Sequence, residues 1–176
     1  MQLYSKKNNF LFSEKNALEN KHLFLAAIFL FTLPLLPLNQ LIVGTLVNAV
    51  LIKFSISINS KKVFLLSIIP SLAVLFGGIL FTNVNFQIAL MLPFIWIGNF
   101  VLMFLTRKLV VNNKKNYFVS TLISSVGKTF LLFLTAGVLF YLGVVPLVFL
   151  NMFGIMQFIT AESGAVLIYL MQKIKV

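Results

Sequence analysis

Along this chain, apolar runs about twenty residues long alternate with short polar breaks. Leu23–Leu41, Leu41–Ile58, Val63–Phe81, Phe86–Leu105, Tyr117–Tyr141 and Leu147–Met171 are each near the roughly 20 mostly apolar residues that a helix needs to cross a bilayer. Between the first two lies Pro34-Leu35-Leu36-Pro37-Leu38-Asn39-Gln40. Proline removes a helical donor and clashes with the preceding turn, so this stretch predicts a bend or a re-entrant loop. Asn59–Lys62 and Thr82–Asn85 predict short polar turns, and Gly143 and Pro146 punctuate the last connection. The pattern predicts an all-α integral membrane protein, a compact bundle of six transmembrane helices over residues 23–176. Residues 1–22 form a cytoplasmic or interfacial N-terminal segment. Phe10, Leu11, Phe12 and Leu18 would line a short interfacial helix there; a disordered tail is the alternative. No small-residue cleavage site follows the first apolar run, so the N-terminus is expected to be retained.

Composition agrees with the pattern. The chain is 60% hydrophobic and 10% charged, whereas soluble domains are about a quarter charged. It has no cysteine, which excludes disulfides, thiolate zinc sites, iron–sulfur clusters and cysteine nucleophiles. His22 is the single histidine, so a histidine metal cluster is excluded too, and no metal or cofactor is expected. A net charge of +11 would suggest nucleic acid in a soluble protein. Its distribution says otherwise. Lys6, Lys7, Lys15 and Lys21 precede the first span, Lys61 and Lys62 follow the second, Arg107, Lys108, Lys114 and Lys115 follow the fourth, and Lys173 and Lys175 follow the sixth. The other connections carry none. Basic residues stay cytoplasmic during insertion, so this alternation predicts six crossings with both termini cytoplasmic. The partner implied by the charge is anionic lipid and not nucleic acid.

Three charges fall inside spans. Lys53 lies near the cytoplasmic end of the second, opposite Gly44, Thr45, Asn48 and Ser55, and reads as a structural lysine that snorkels to the headgroups. Gly127-Lys128-Thr129 looks like the end of a phosphate-binding loop, but the position needing the first glycine is Leu122, and Phe-Leu-Leu-Phe follows. Lys128 lies about 16 Å above the start of the fifth span, and Glu162 about 15 Å above Gln172, at a 1.5 Å rise per residue. A lone charge at that depth costs at least ~3 kcal/mol, so such groups pair or face a wet cavity. Lys128 and Glu162 are expected to pair with each other, to face a ligand, or both. Ser120, Ser124, Gly127, Lys128 and Thr135 share one stripe. Trp96 and Asn99 share a face of the fourth span, where the indole could stack on a flat ligand or pack in the core. Asn48, Asn99 and Gln157 are amides at membrane depth that need partners. Gln157 and Glu162 are about 140° apart around their helix and cannot point straight at one spot.

Several stretches resemble the substrate-binding S-component of energy-coupling-factor (ECF) transporters. "GTLVNAVL" (44–51) resembles a G-T-x-V-N second helix, "LMLPFIWIGNFVLMFL" (90–105) a P-F-I-x-x-x-N fourth helix, "SSVGKTFLLF" (124–133) a fifth helix with a small residue before Lys, and "MQFITAESGAVLIYL" (156–170) a Q-x-x-T-A-x-x-G sixth helix. The resemblance covers residues 23–171. It implies that Asn48, Asn99, Lys128, Gln157 and Thr160 belong to a ligand pocket open to the outside, with Trp96 and Glu162 as further candidates from the residues themselves. Glu162 stands where the pattern more often has a small or apolar residue. The resemblance also implies function: high-affinity binding of a scarce micronutrient such as a vitamin, in a prokaryotic plasma membrane. Uptake would need a transmembrane coupling subunit and two ATPase subunits. Rival expectations are a stand-alone ion- or proton-coupled carrier using Lys128 and Glu162 as a relay, and a structural membrane subunit without ligand. An enzyme is not expected, because one intramembrane acid cannot supply paired carboxylates.

Overall fold

The computed structural model describes residues 2–81 and 86–173, with side chains for 17–77 and 86–172. The predicted turn Thr82–Asn85 and Lys175 lie outside the described residues, as do the side chains of Lys6, Lys7, Phe10, Leu11, Phe12, Lys15 and Lys173.

All regular elements among the described residues are helical. Helix α1 (Gln2–Thr32) runs unbroken across residue 22, so the N-terminal segment and the first span share one helix. It leads into a 3-10 turn, Leu33–Leu35, with Pro34 in its first positions. Leu36 is extended, and α2 (Gln40–Ser57) starts where the Asn39 side chain accepts a hydrogen bond from the Leu41 N–H at 2.8 Å. That cap satisfies one orphan donor of the new helix. The first span therefore ends at Leu35 and not at Leu41, because Pro37 cannot carry a helix through the bend.

The predicted third span, Val63–Phe81, has two parts: a 3-10 stretch, Lys61–Ser67, and helix α3 (Ile69–Phe81). Helix α4 (Phe86–Thr106) runs past the predicted Leu105 into a π-helical turn, Arg107–Asn112, so Arg107 and Lys108 sit on helix and not on a loop. Helix α5 (Tyr117–Tyr141) has the predicted bounds; Asn116 caps its start, and Gly143 at φ +70° reverses the chain after its end. The predicted sixth span is broken at Gly154 into α6 (Val148–Phe153) and α7 (Ile155–Lys173). A Cβ on Gly154 would lie 2.5 Å from the Leu150 carbonyl oxygen and 2.8 Å from Phe133, so only glycine fits this corner.

Five stretches among the described residues are long and apolar enough to cross a membrane: Ala17–Leu35, Gln40–Ser57, Phe86–Asn112, Tyr117–Tyr141 and Val148–Gln172. Helix α5 shows why the solvent is lipid. Phe118, Leu122, Val126, Phe130 and Leu134 recur every fourth residue on its exposed face, whereas Ser120, Thr121, Ser124, Ser125 and Lys128 are buried. A helix in water places these two sets the other way round. The chain is a multi-pass helical membrane protein.

Helix α2 lies along α7, and α5 packs on both α4 and α7. The α2–α7 approach is close. A Cβ on Gly164 would fall 2.7 Å from the Ala49 nitrogen and 2.9 Å from the Thr45 oxygen. Small residues let membrane helices meet backbone to backbone. At one end of the bundle Arg107 donates to the Ile58 carbonyl at 3.0 Å and to Asn59 Oδ1 at 2.5 Å. Two of the basic connections are thus tied together at that end.

Candidate ligand-binding cavity

A cavity of about 380 Å³ lies among α2, α3, α4, α5, α6 and α7. The bend after α1 contributes Pro34, Leu36 and Leu38 to its rim, so the cavity lies toward the end opposite the Arg107 tie. Its walls are mostly apolar, with Val47, Val74, Leu92, Ile95 and Met156 among them. Such a volume with a few converging polar groups suits a small organic ligand.

Five of the seven sequence candidates line it: Asn48, Asn99, Lys128, Gln157 and Thr160. Lys128 is 2% exposed, and its ammonium donates to Asn48 Oδ1 at 2.7 Å. Asn48 Nδ2 donates in turn to Thr160 Oγ1 at 3.1 Å, and the Thr160 hydroxyl donates to the Gln157 carbonyl at 3.2 Å. The chain of bonds runs in one direction and fixes which way the Asn48 amide faces. It crosses three helices, α5, α2 and α7. The second residue of this network is held by the crossing described above, since Gly164 lets α7 reach the backbone around Asn48.

Asn99 donates to the Ser67 carbonyl at 3.1 Å. Pro70, three residues after Ser67, has no N–H to offer that carbonyl, and the amide takes its place. Asn99 thereby braces the joint between the 3-10 stretch and α3 while another edge borders the cavity.

Trp96 and Glu162 do not line the cavity. The Trp96 indole N–H donates to Ser71 Oγ, and Ser71 is a wall residue. Trp96 thus stands behind Ser71 and fixes its hydroxyl, which in turn donates to the Ile68 carbonyl at 2.9 Å. Glu162 forms no ion pair with Lys128, whose ammonium turns to Asn48 instead. The Glu162 Oε1 atom is buried without a hydrogen-bond partner, as are the hydroxyls of Ser125 and Thr129. The angular offset from Gln157 explains the separation: with Gln157 facing the cavity, Glu162 turns toward the α5 side of α7, where Tyr117 donates to the Ala165 carbonyl at 2.9 Å.

Gly127-Lys128-Thr129 sits inside continuous α5, so it forms no phosphate loop. A Cβ on Gly127 would meet Leu105 at 3.0 Å, which makes this glycine a packing residue. Lys53 is exposed on the side of α2 away from buried Asn48 and Ser55. No group of three or more metal-ligating side chains occurs among the described residues.

Gln40 and Ser71 also line the cavity and were not candidates from sequence. Gln40 closes the stretch from Pro34 that predicts a bend, and Ser71 lies inside the predicted third span. No family model matches this chain, and no curated protein or solved structure matches it.

Proposed function

We propose that this chain binds a small micronutrient from outside the cell as the substrate-binding subunit of an ECF-type importer. In this reading it sits in a prokaryotic plasma membrane as six crossings with both termini cytoplasmic. The broken third segment serves as the sixth crossing. A coupling membrane subunit and two ATPase subunits supply the energy, and the chain itself performs no chemistry on the ligand.

The observation that carries the reading is the cavity: Lys128, Asn48, Thr160, Gln157 and Asn99 border one space, on the side away from the basic connections tied by Arg107. Basic connections stay cytoplasmic, so the cavity lies toward the outside, where a scavenging subunit would need it. A stand-alone carrier relaying protons between Lys128 and Glu162 is disfavoured, since these two side chains form no ion pair.

The test has two arms. Protein purified alone and denatured should release a small molecule detectable by mass spectrometry. Vesicles containing this chain alone should not accumulate that molecule, whereas vesicles also holding a coupling subunit and ATPases should do so with ATP. Gradient-driven uptake by the chain alone would establish a carrier. Release of no molecule from any preparation, together with failure to bind any of a broad vitamin panel, would favour a structural subunit.

A further inference from the structure

We infer that the cavity takes a small monoanion with a largely apolar body, its acceptor end held by the Lys128 ammonium and the Asn48 amide. The inference rests on the ligand-binding reading above and adds the chemical class.

The charge inventory comes first. Among the described residues, Lys128 is the one charged side chain lining the cavity, and no Asp or Glu joins it there. Glu162 lies outside, so it supplies no counter-charge within the space. A cation without a partner at membrane depth is costly, and an anionic ligand removes that cost by pairing with it. A cationic ligand would meet a like charge with no acid to offset it.

Donor and acceptor counts agree. An ammonium has three donors, and Lys128 spends one on Asn48. The Asn48 amide has two, and spends one on Thr160. Asn99 spends one of its two on Ser67. Asn48 Oδ1, Thr160 Oγ1 and the Gln157 carbonyl each accept one bond, from Lys128, Asn48 and Thr160, and keep a second lone pair; these acceptors are neutral and balance no charge. The cavity therefore offers an ammonium with two unspent donors, and no carboxylate meets it among the described residues. It is complementary to an acceptor-rich group such as a carboxylate, which forms short charge-assisted bonds to an ammonium.

Size and walls set the remainder. One cation balances one negative charge, so a diphosphate or triphosphate would bring charge that nothing in the cavity meets. Val47, Val74, Leu92, Ile95 and Met156 offer no hydrogen bonds, so a polyol would lose its hydration against them. Gln40 and Gln157 leave room for one further polar feature on the ligand.

The experiment uses the full chain in a nonionic detergent, stripped of bound molecules. Small-molecule extract of the expressing cells is separated by ion exchange into anionic, neutral and cationic fractions. Each fraction is titrated against the protein, with thermal unfolding as readout. The anionic fraction should raise the unfolding temperature, and the other two should not. With Lys128→Met the dilution of that fraction giving a half-maximal shift should move at least about tenfold, as expected for losing a charge-assisted bond. Lys128→Arg should keep part of the effect. Stabilisation by the neutral or cationic fraction instead would overturn the monoanion while leaving the ligand-binding reading intact. No stabilisation by any fraction would overturn both. The comparison of fractions on the unmodified chain decides the matter even where Lys128→Met fails to fold, and an unchanged response of a folded Lys128→Met would also overturn the inference.

Discussion

Lys128 and Glu162 lie at nearly the same depth on neighbouring helices, yet their surroundings have little in common. Lys128 is wired through Asn48 and Thr160 to three helices and borders a cavity. Glu162 sits outside the cavity with a buried oxygen that has no partner. Depth in the bilayer therefore says that a charge is expensive, but not what it serves. The direction around the helix decides that. The lysine points to the centre of the bundle, where α2, α5 and α7 meet. The glutamate points to a seam between two helices.

This contrast makes definite predictions. The largest effect should come from Asn48→Leu, which removes the acceptor of Lys128 and the donor to Thr160 together. Leaving a buried ammonium unpaired should cost about 1–3 kcal/mol of stability or more, measurable as a lower unfolding temperature and accompanied by loss of ligand binding. Gly164→Val should come next. Its Cβ would press on the Ala49 nitrogen and Thr45 oxygen, which are backbone and cannot rotate away. Overpacking of this kind costs about 1–3 kcal/mol, and the displaced α2 should weaken binding without any change of charge. Arg107→Ala should cost less, about 1 kcal/mol, because it releases only a tie between connections. Binding affinity should be unchanged in that variant, and protease nicking at 58–62 should rise. Glu162→Gln should have the smallest effect, with affinity within about twofold. A collapse of binding there would erase the distinction between the two charges.

Much of the site was legible because polar residues stand out against a lipid-soluble background. Asn48, Asn99, Lys128 and Gln157 each looked out of place in an apolar run, Thr160 was a candidate only through the family resemblance, and all five border the cavity. The apolar walls were not legible. Leu92 and Met156 face the cavity and Leu134 faces outward, yet all three satisfy the same demand for an apolar side chain. Trp96 was visible as an indole deep in a span, but its role behind Ser71 depends on a contact between α4 and α3 that spacing within one helix cannot give. The separation of Glu162 from Gln157 was legible as an angle. That Lys128 would turn to Asn48 was not, because pairing across helices depends on rotations that sequence leaves open.

The helices show the same division. Helix α5 kept its predicted bounds because Asn116 and Gly143 mark both ends chemically. The break at Gly154 escaped notice because glycine is ordinary in membrane helices. What singles it out is Phe133 and Leu150 packed where a Cβ would stand. The joint before α3 follows from Pro70, but its repair by Asn99 is a tertiary event.

Because the chain has no native cysteine, single-cysteine variants report location without background. The most direct measurement is labelling of Gln157→Cys and Lys62→Cys in intact cells with a membrane-impermeant maleimide. An outward-facing cavity opposite cytoplasmic basic connections requires that Gln157→Cys react from outside and that Lys62→Cys react only after the membrane is opened. The reverse pattern, with Lys62→Cys labelled in intact cells and Gln157→Cys protected until lysis, would contradict it.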